Sequence, residues 1–166
     1  MALYSISAAG RVERGPFQEI RSGVIIEDDQ RLRGLLEATH SIAVLGAKSG
    51  ENEDAYRVPR AMQRHGYRIL PVNPKLGELL GETCAPRLAE VAAPIDLVDV
   101  FRARQHIPGH VEEILALDPL PRGVWLQLGI RDDDSARRLA ARGIEVVQDR
   151  CLLVEHERLL GDAGDG

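Results

Sequence analysis

The chain has 166 residues, of which 44% are hydrophobic, 28% charged and 4% aromatic, and it carries a formal net charge of −5. That length suits one domain with an ordinary core and is too short for a nucleotide domain plus a full catalytic domain; the acidic balance excludes broad affinity for nucleic acid or anionic membrane. Cys84 and Cys151 form no CxxC pair and no zinc-ligand spacing, and no window approaches a bilayer span, so reduced thiols, no disulfide framework and a cytoplasmic location are expected.

Residues 1–26 show no clear period and are expected to lie at the periphery of a core spanning 42–160, with 161–166 as a flexible small-polar tail. Asp28 to Ala38 places Leu32, Leu35 and Leu36 at helical spacing. From Ile42 onward, short apolar runs alternate with longer amphipathic ones. The runs Ile42–Leu45, Tyr67–Val72, Leu97–Phe101, Val124–Leu126 and Ile144–Val147 read as strands buried on both faces. Val58 to His65 reads as a helix with Pro59 in its first turn and Gly66 beyond its end. Pro108 opens a second helix, through about Leu117, with Val111, Ile114 and Leu115 on one face, and Asp118-Pro119 stops it. Asp132 to Asp134 supply acids to the start of a third, and a last helix covers about Leu152 to Leu160. The alternation predicts a single α/β domain, Rossmann-like and doubly wound, with a mainly parallel sheet of about five strands and flanking helices.

In such a sheet a ligand sits beyond the carboxyl ends of the strands. After the first strand stand Gly46, Ala47, Lys48 and Ser49, a plausible phosphate cradle in which Gly46 serves either close approach by a ligand or a tight turn. The dinucleotide pattern G-x-G-x-x-G fails at Lys48 and Glu51, and the phosphate-binding P-loop fails at Ala47 and Ile42. After the second strand come Asn73, Pro74 and Lys75, where an NAD site would place an acid for the ribose. Lysine there suits a phosphorylated ribose, as in coenzyme A or NADP, or else a solvated turn. Phe101-Arg102 and Gln127-Leu128-Gly129-Ile130 follow the third and fourth strands.

Together, Ile42–Gly46 with Tyr56, Arg57 and Val58, then Gly66–Pro74, Val98–Arg102 and Trp125–Ile130, resemble the coenzyme-A-binding domain family related to the N-terminal domain of the succinyl-CoA synthetase alpha subunit. The likeness extends from about Ile42 to Leu160 and looks closest to small stand-alone members. It implies that the nucleotide end of coenzyme A lies across the strand ends, lined by 46–49, 56–58, 73–75, 101–102 and 127–130. Synthetase alpha subunits also carry a second domain with a phosphorylated histidine, for which the residues after Leu160 leave no space, so ligase activity is not implied.

His106 and His110 have the i, i+4 spacing of a metal pair but lack a third ligand, so surface or capping roles are preferred. Asp132–Asp134 are expected to cap a helix. Cys151 and His156, five residues apart, would not face each other on one helix, and Cys151 reads as a buried thiol. No catalytic residue and no metal site is expected. The leading expectation is a non-catalytic binder of coenzyme A or acyl-CoA, a carrier, sensor or regulator whose protein partner the sequence does not identify. The alternatives are an NADP-linked oxidoreductase, a nucleotide-site subunit of a two-chain acyl-CoA ligase, or an interaction module with a vestigial pocket.

Overall fold

The computed structural model describes residues 4–6, 12–14 and 23–161; the expected tail beyond 161 and most of the segment before 23 lie outside the described residues. In chain order the elements are β1 (Tyr4–Ile6), β2 (Val12–Arg14), α1 (Asp29–Ala38), β3 (Ser41–Leu45), α2 (Asp54–Arg64), β4 (Arg68–Val72), β5 (Glu78–Leu79), β6 (Glu82–Thr83), β7 (Leu97–Val100), α3 (Ile107–Leu115), β8 (Gly123–Leu126), α4 (Asp133–Ala141), β9 (Glu145–Val147) and α5 (Leu152–Leu160).

The central sheet has the order β4-β3-β7-β8-β9 with every pair parallel. Strand alternation sends Ile42, Val44, Leu97, Trp125 and Val147 to one face and Ala43, Leu45, Val98, Val100, Val124, Leu126 and Val146 to the other. Helices α1, α2 and α5 cover the first face through Leu32, Leu35, Val58, Met62, Leu152 and Leu159. Helices α3 and α4 cover the second through Ile107, Val111, Ile114, Ala136 and Leu139. Both faces being apolar is why the strands read as continuous Val/Ile/Leu runs. The fold is therefore α/β and Rossmann-like. No described helix is long and apolar enough to cross a membrane.

Strand boundaries differ from the sequence expectation by single residues: Tyr67, Phe101 and Ile144 lie outside the pairing, while Ser41 and Gly123 lie within it. Helix α2 departs further. It begins at Asp54, four residues before Val58, so Pro59 sits inside the helix and not in its first turn. A proline nitrogen carries no hydrogen, so the Ala55 carbonyl one turn back loses its helical donor. The backbone N–H of Lys48 donates to that carbonyl instead, at 3.4 Å, tying the loop after β3 to the helix. Helix α3 ends at Leu115 rather than near Leu117. Asp132 does occupy the N-cap of α4, but its carboxylate accepts from the Ser135 hydroxyl and not from a backbone N–H.

Three pairings had no sequence signal. β1 and β2 form an antiparallel pair. Val24 to Ile26 runs along the free edge of β9, where Ile26 N–H reaches the Val146 carbonyl at 2.7 Å and Val146 N–H reaches Val24 at 2.9 Å. The β5–β6 hairpin turns through Leu80 and Gly81, with φ of 55° and 77°, the pair of positive values that a tight type I′ turn requires. It returns the chain to the other edge, where Ala85 bonds to Pro71 and Asn73.

Helix α5 docks with a buried histidine. His156 is 7% exposed, stacks on His65 with ring centroids 4.5 Å apart, and meets the edge of Tyr67 at 5.4 Å. Its Nδ1 has no hydrogen-bond partner. Burial first, and then the neighbouring His65, hold its pKa below 6.5, with Glu157 acting weakly the other way. The unfolded chain then binds the proton more readily than the folded one, so this contribution is complete above pH 6.5 and is lost as pH falls below it. As pH falls from 7.5 to 5, thermal melts are expected to show the wild type losing Tm relative to His156→Phe, in which every other titrating group is shared; parallel profiles for the two proteins would refute the assignment.

Candidate ligand cleft at the strand ends

The strand order reverses direction between β3 and β7, and at such a switch point the two following loops diverge and open a crevice. Gly46 stands there with φ +84°. A Cβ on Gly46 would lie 2.5 Å from the carbonyl oxygen of Phe101 and 2.9 Å from Cδ of Arg102. The glycine is thus required by the backbone just past the neighbouring strand β7, and it also lines the cavity described next.

Two adjoining cavities, of about 420 and 780 Å³, run along this edge and share Lys48 and Arg102 as walls. The smaller lies over the ends of β3 and β4 and is lined by Gly46, Ala47, Asn73, Pro74 and Lys75, with Arg87, His110 and Glu113 opposite. The larger continues over β7 and β8 to the end of β9, lined by Arg57 and Val58 of α2, by Phe101, Gln127, Leu128 and Ile130, and by Cys151, Leu153 and Val154. Of the residues singled out from the sequence, Ser49, Tyr56 and Gly129 are not on either wall. Ser49 is exposed, Tyr56 packs against the core, and Gly129 is engaged through its N–H with Asp149 Oδ1 at 2.7 Å.

The charges divide into paired and unpaired. Lys48 lies 3.5 Å from Glu53, Arg57 is held by Asp54, and Arg87 lies 3.3 Å from Glu90. Neither Lys75 nor Arg102 is paired with a carboxylate among the described residues. Arg102 donates instead from Nε to Nε2 of His110 at 3.3 Å. That bond needs an unprotonated Nε2, and burial does hold the His110 pKa below its ordinary value, against the pull of Glu113. The guanidinium thus stands at the junction of the two cavities with a neutral partner.

Two residues expected to meet a ligand are occupied by the protein. The Asn73 side chain donates to the Ala47 carbonyl at 2.7 Å and accepts from the Lys75 backbone N–H at 2.7 Å, so it couples the loops after β3 and β4. The Gln127 side chain donates to Oδ1 of Asp99 at 2.6 Å and accepts from Leu152 N–H at 3.4 Å. Asp99 lies in the middle of the sheet between Val44 and Trp125, is 1% exposed, and leaves Oδ2 without a partner. Burial pushes its pKa up to about 7, against the lowering effect of the Gln127 bond. Its run, Leu97–Phe101, reads in the sequence as a strand buried on both faces, but nothing there gives the acid a role.

A family model described as a CoA binding domain matches residues 40–157. The chain belongs to the CoA-binding domain family. The uncharacterised protein YneT of Bacillus subtilis (strain 168) is 36% identical over 126 residues, which cover 75% of this chain and 91% of YneT. The solved structure of cell-free ID.343 from Thermus thermophilus superposes with a TM-score of 0.76 at 46% identity, covering 81% of this chain and all (100%) of that one. An ADP-forming acetate–CoA ligase of Methanocaldococcus jannaschii is 29% identical over 73 residues, which span 44% of this chain but 10% of the ligase.

Cys151 is not a buried thiol: it is half-buried, stands at the N-cap of α5 and lines the larger cavity. The strand-end rule applied to β9 would have found it. His156 is turned into the core, away from Cys151, against His65 and Tyr67. His106 precedes α3 without a capping bond, while His110 faces Arg102 and Glu113. Among the described residues no group of three His, Cys, Asp or Glu is placed to hold a metal.

Proposed function

We propose that this CoA-binding domain protein binds coenzyme A or an acyl-CoA along the strand ends, with the phosphorylated ribose over β4 near Lys75 and the diphosphate at Lys48 and Arg102. The observation that carries this reading is the meeting of the two cavities at Arg102, with two cations on their walls that lack carboxylate partners among the described residues, in a chain of net charge −5. An arginine fork is suited to bidentate contact with phosphate, and a lysine to a terminal phosphate. Protein of this kind would carry, sense or respond to CoA without transforming it, a reading supported by His156, the histidine on the same helix as the half-buried Cys151, being committed to the core.

The test is calorimetric titration with CoA, dephospho-CoA, NADP and NAD. CoA is expected to bind tightest, and loss of the ribose phosphate to weaken it. Arg102→Ala is expected to raise Kd about tenfold or more, the cost of one charge-assisted hydrogen bond. Lys75→Ala is expected to act less, because the lysine is exposed, and mainly on the difference between CoA and dephospho-CoA. No heat with CoA, or tighter binding of NADP, would refute the proposal. The partial match to the acetate–CoA ligase favours a second reading, a nucleotide-site subunit of a two-chain ligase, which co-purification of an ATP-binding chain would support.

A further inference from the structure

The larger cavity changes character along its length. At the Arg102 end it is cationic; at the end over β8 and β9 its wall is Leu128, Ile130, Cys151, Leu153 and Val154. Leu128 is 70% exposed and Val154 55%, and these are the exposed large hydrophobic side chains among the described residues. Single exposed apolar residues are unremarked on any surface, but here both stand on one cavity wall. Of the three cations on that cavity, Lys48 and Arg57 are already paired with Glu53 and Asp54, and Arg102 is the one placed to take phosphate.

Position along the sheet says what would cover this wall. The cavities follow the strands in the order β4, β3, β7, β8, β9, and four interstrand gaps make about 19 Å. A ligand anchored by phosphates at Lys75, Lys48 and Arg102 would run its arm over β7 and bring its far end to the β8 and β9 ends. We infer that the Leu128–Val154 wall is an acyl-chain subsite, and that the protein selects acyl-CoAs carrying an uncharged hydrocarbon chain over free CoA, acetyl-CoA or a dicarboxylic acyl-CoA. The inference rests on the CoA reading above. A carboxylate at that end would meet apolar side chains while Arg102 is engaged by the diphosphate, so its desolvation would go uncompensated. A methylene chain would be sheltered by the wall and would shelter it in return.

The experiment is titration of the purified chain with free CoA and with acetyl-, butyryl-, succinyl- and octanoyl-CoA. Affinity is expected to rise by up to about fourfold per added methylene while the chain stays against the wall. Butyryl-CoA is expected to bind tighter than succinyl-CoA, which has the same number of acyl carbons. In the double variant Leu128→Gln, Val154→Gln the ratio of octanoyl- to acetyl-CoA affinity is expected to fall towards one. Both positions are exposed, so the fold tolerates the change. A flat series, succinyl-CoA binding as well as butyryl-CoA, or an undiminished ratio in the double variant would each overturn the inference while leaving CoA binding intact. No binding by any of these ligands would overturn both. A flat series accompanied by a dimer that the double variant dissociates would assign the wall to a second copy of the chain and overturn it too.

Discussion

Raising the pH from 4 to 8 is expected to favour the Asp99→Asn variant over the wild type by about 4 kcal/mol in relative stability, the linkage value of a carboxyl whose pKa moves by roughly three pH units on folding. The folded carboxyl titrates at about 7 against an ordinary value of 3.8, because burial, with Oδ2 left without a donor, outweighs the lowering effect of the hydrogen bonds from Gln127 and the Val100 backbone. Below pH 3.8 both states hold the proton and the site adds no slope. Between 3.8 and about 7 the unfolded chain gives up a proton that the folded chain keeps, so wild-type stability falls with rising pH. Above about 7 both are ionised and the penalty is constant. Asparagine keeps an oxygen for Gln127 and has no proton to lose, so its unpaired amide costs the same at every pH. His156 acts with the opposite sign below pH 6.5, and the comparison is therefore made in the His156→Phe background. Urea unfolding at pH 4, 6 and 8 measures it, and parallel profiles for the two proteins would show that Asp99 does not titrate in this range.

Gly46→Ala is expected to be the most damaging single change at the cleft. An alanine at φ +84° carries left-handed backbone strain of about 1–2 kcal/mol, and its Cβ would also meet the Phe101 carbonyl oxygen at 2.5 Å. That oxygen belongs to backbone just past β7 and cannot rotate away, so the loop after β3 must lift from β7. A loss of about 3 kcal/mol or more is expected, lowering Tm by roughly 6–12 °C for a domain of this size. Any CoA-dependent rise in Tm should vanish with it, because the same movement displaces Lys48 from Arg102. Gly129→Ala is the matched control. Gly129 has φ +86°, but a Cβ there would meet nothing within 4 Å, so the backbone strain acts alone. Similar losses in the two variants would show that close approach of the strands is not what Gly46 serves.

The helices α1 and α5 and all five central strands were legible because a segment buried on one or both faces must repeat its apolar residues at the period of its own geometry. Leu32, Leu35 and Leu36, or Val98 and Val100, report their environment without reference to the rest of the chain. Pro59 misled for a related reason. The start of a helix is inferred from a local preference, whereas α2 tolerates proline within it because Lys48, ten residues before Val58, supplies a donor to the carbonyl that proline leaves bare. The β5–β6 hairpin escaped notice because its turn is Leu80-Gly81 and not Asn-Gly.

The sequence by itself determined that the chain is α/β with a mainly parallel sheet, which strand-end residues to expect at a ligand, and that an acid is missing where NAD would need one. Each of these is a property of a short segment. Tertiary structure alone decided which of the strand-end residues face a common cavity, that Asn73 and Gln127 are held by Ala47 and Asp99, that Arg87 and Cys151 join the walls, and that Leu128 and Val154 stand together. The physical reason is the strand order. Residues far apart in the chain become neighbours only once β3 is placed between β4 and β7, and no local period encodes that choice.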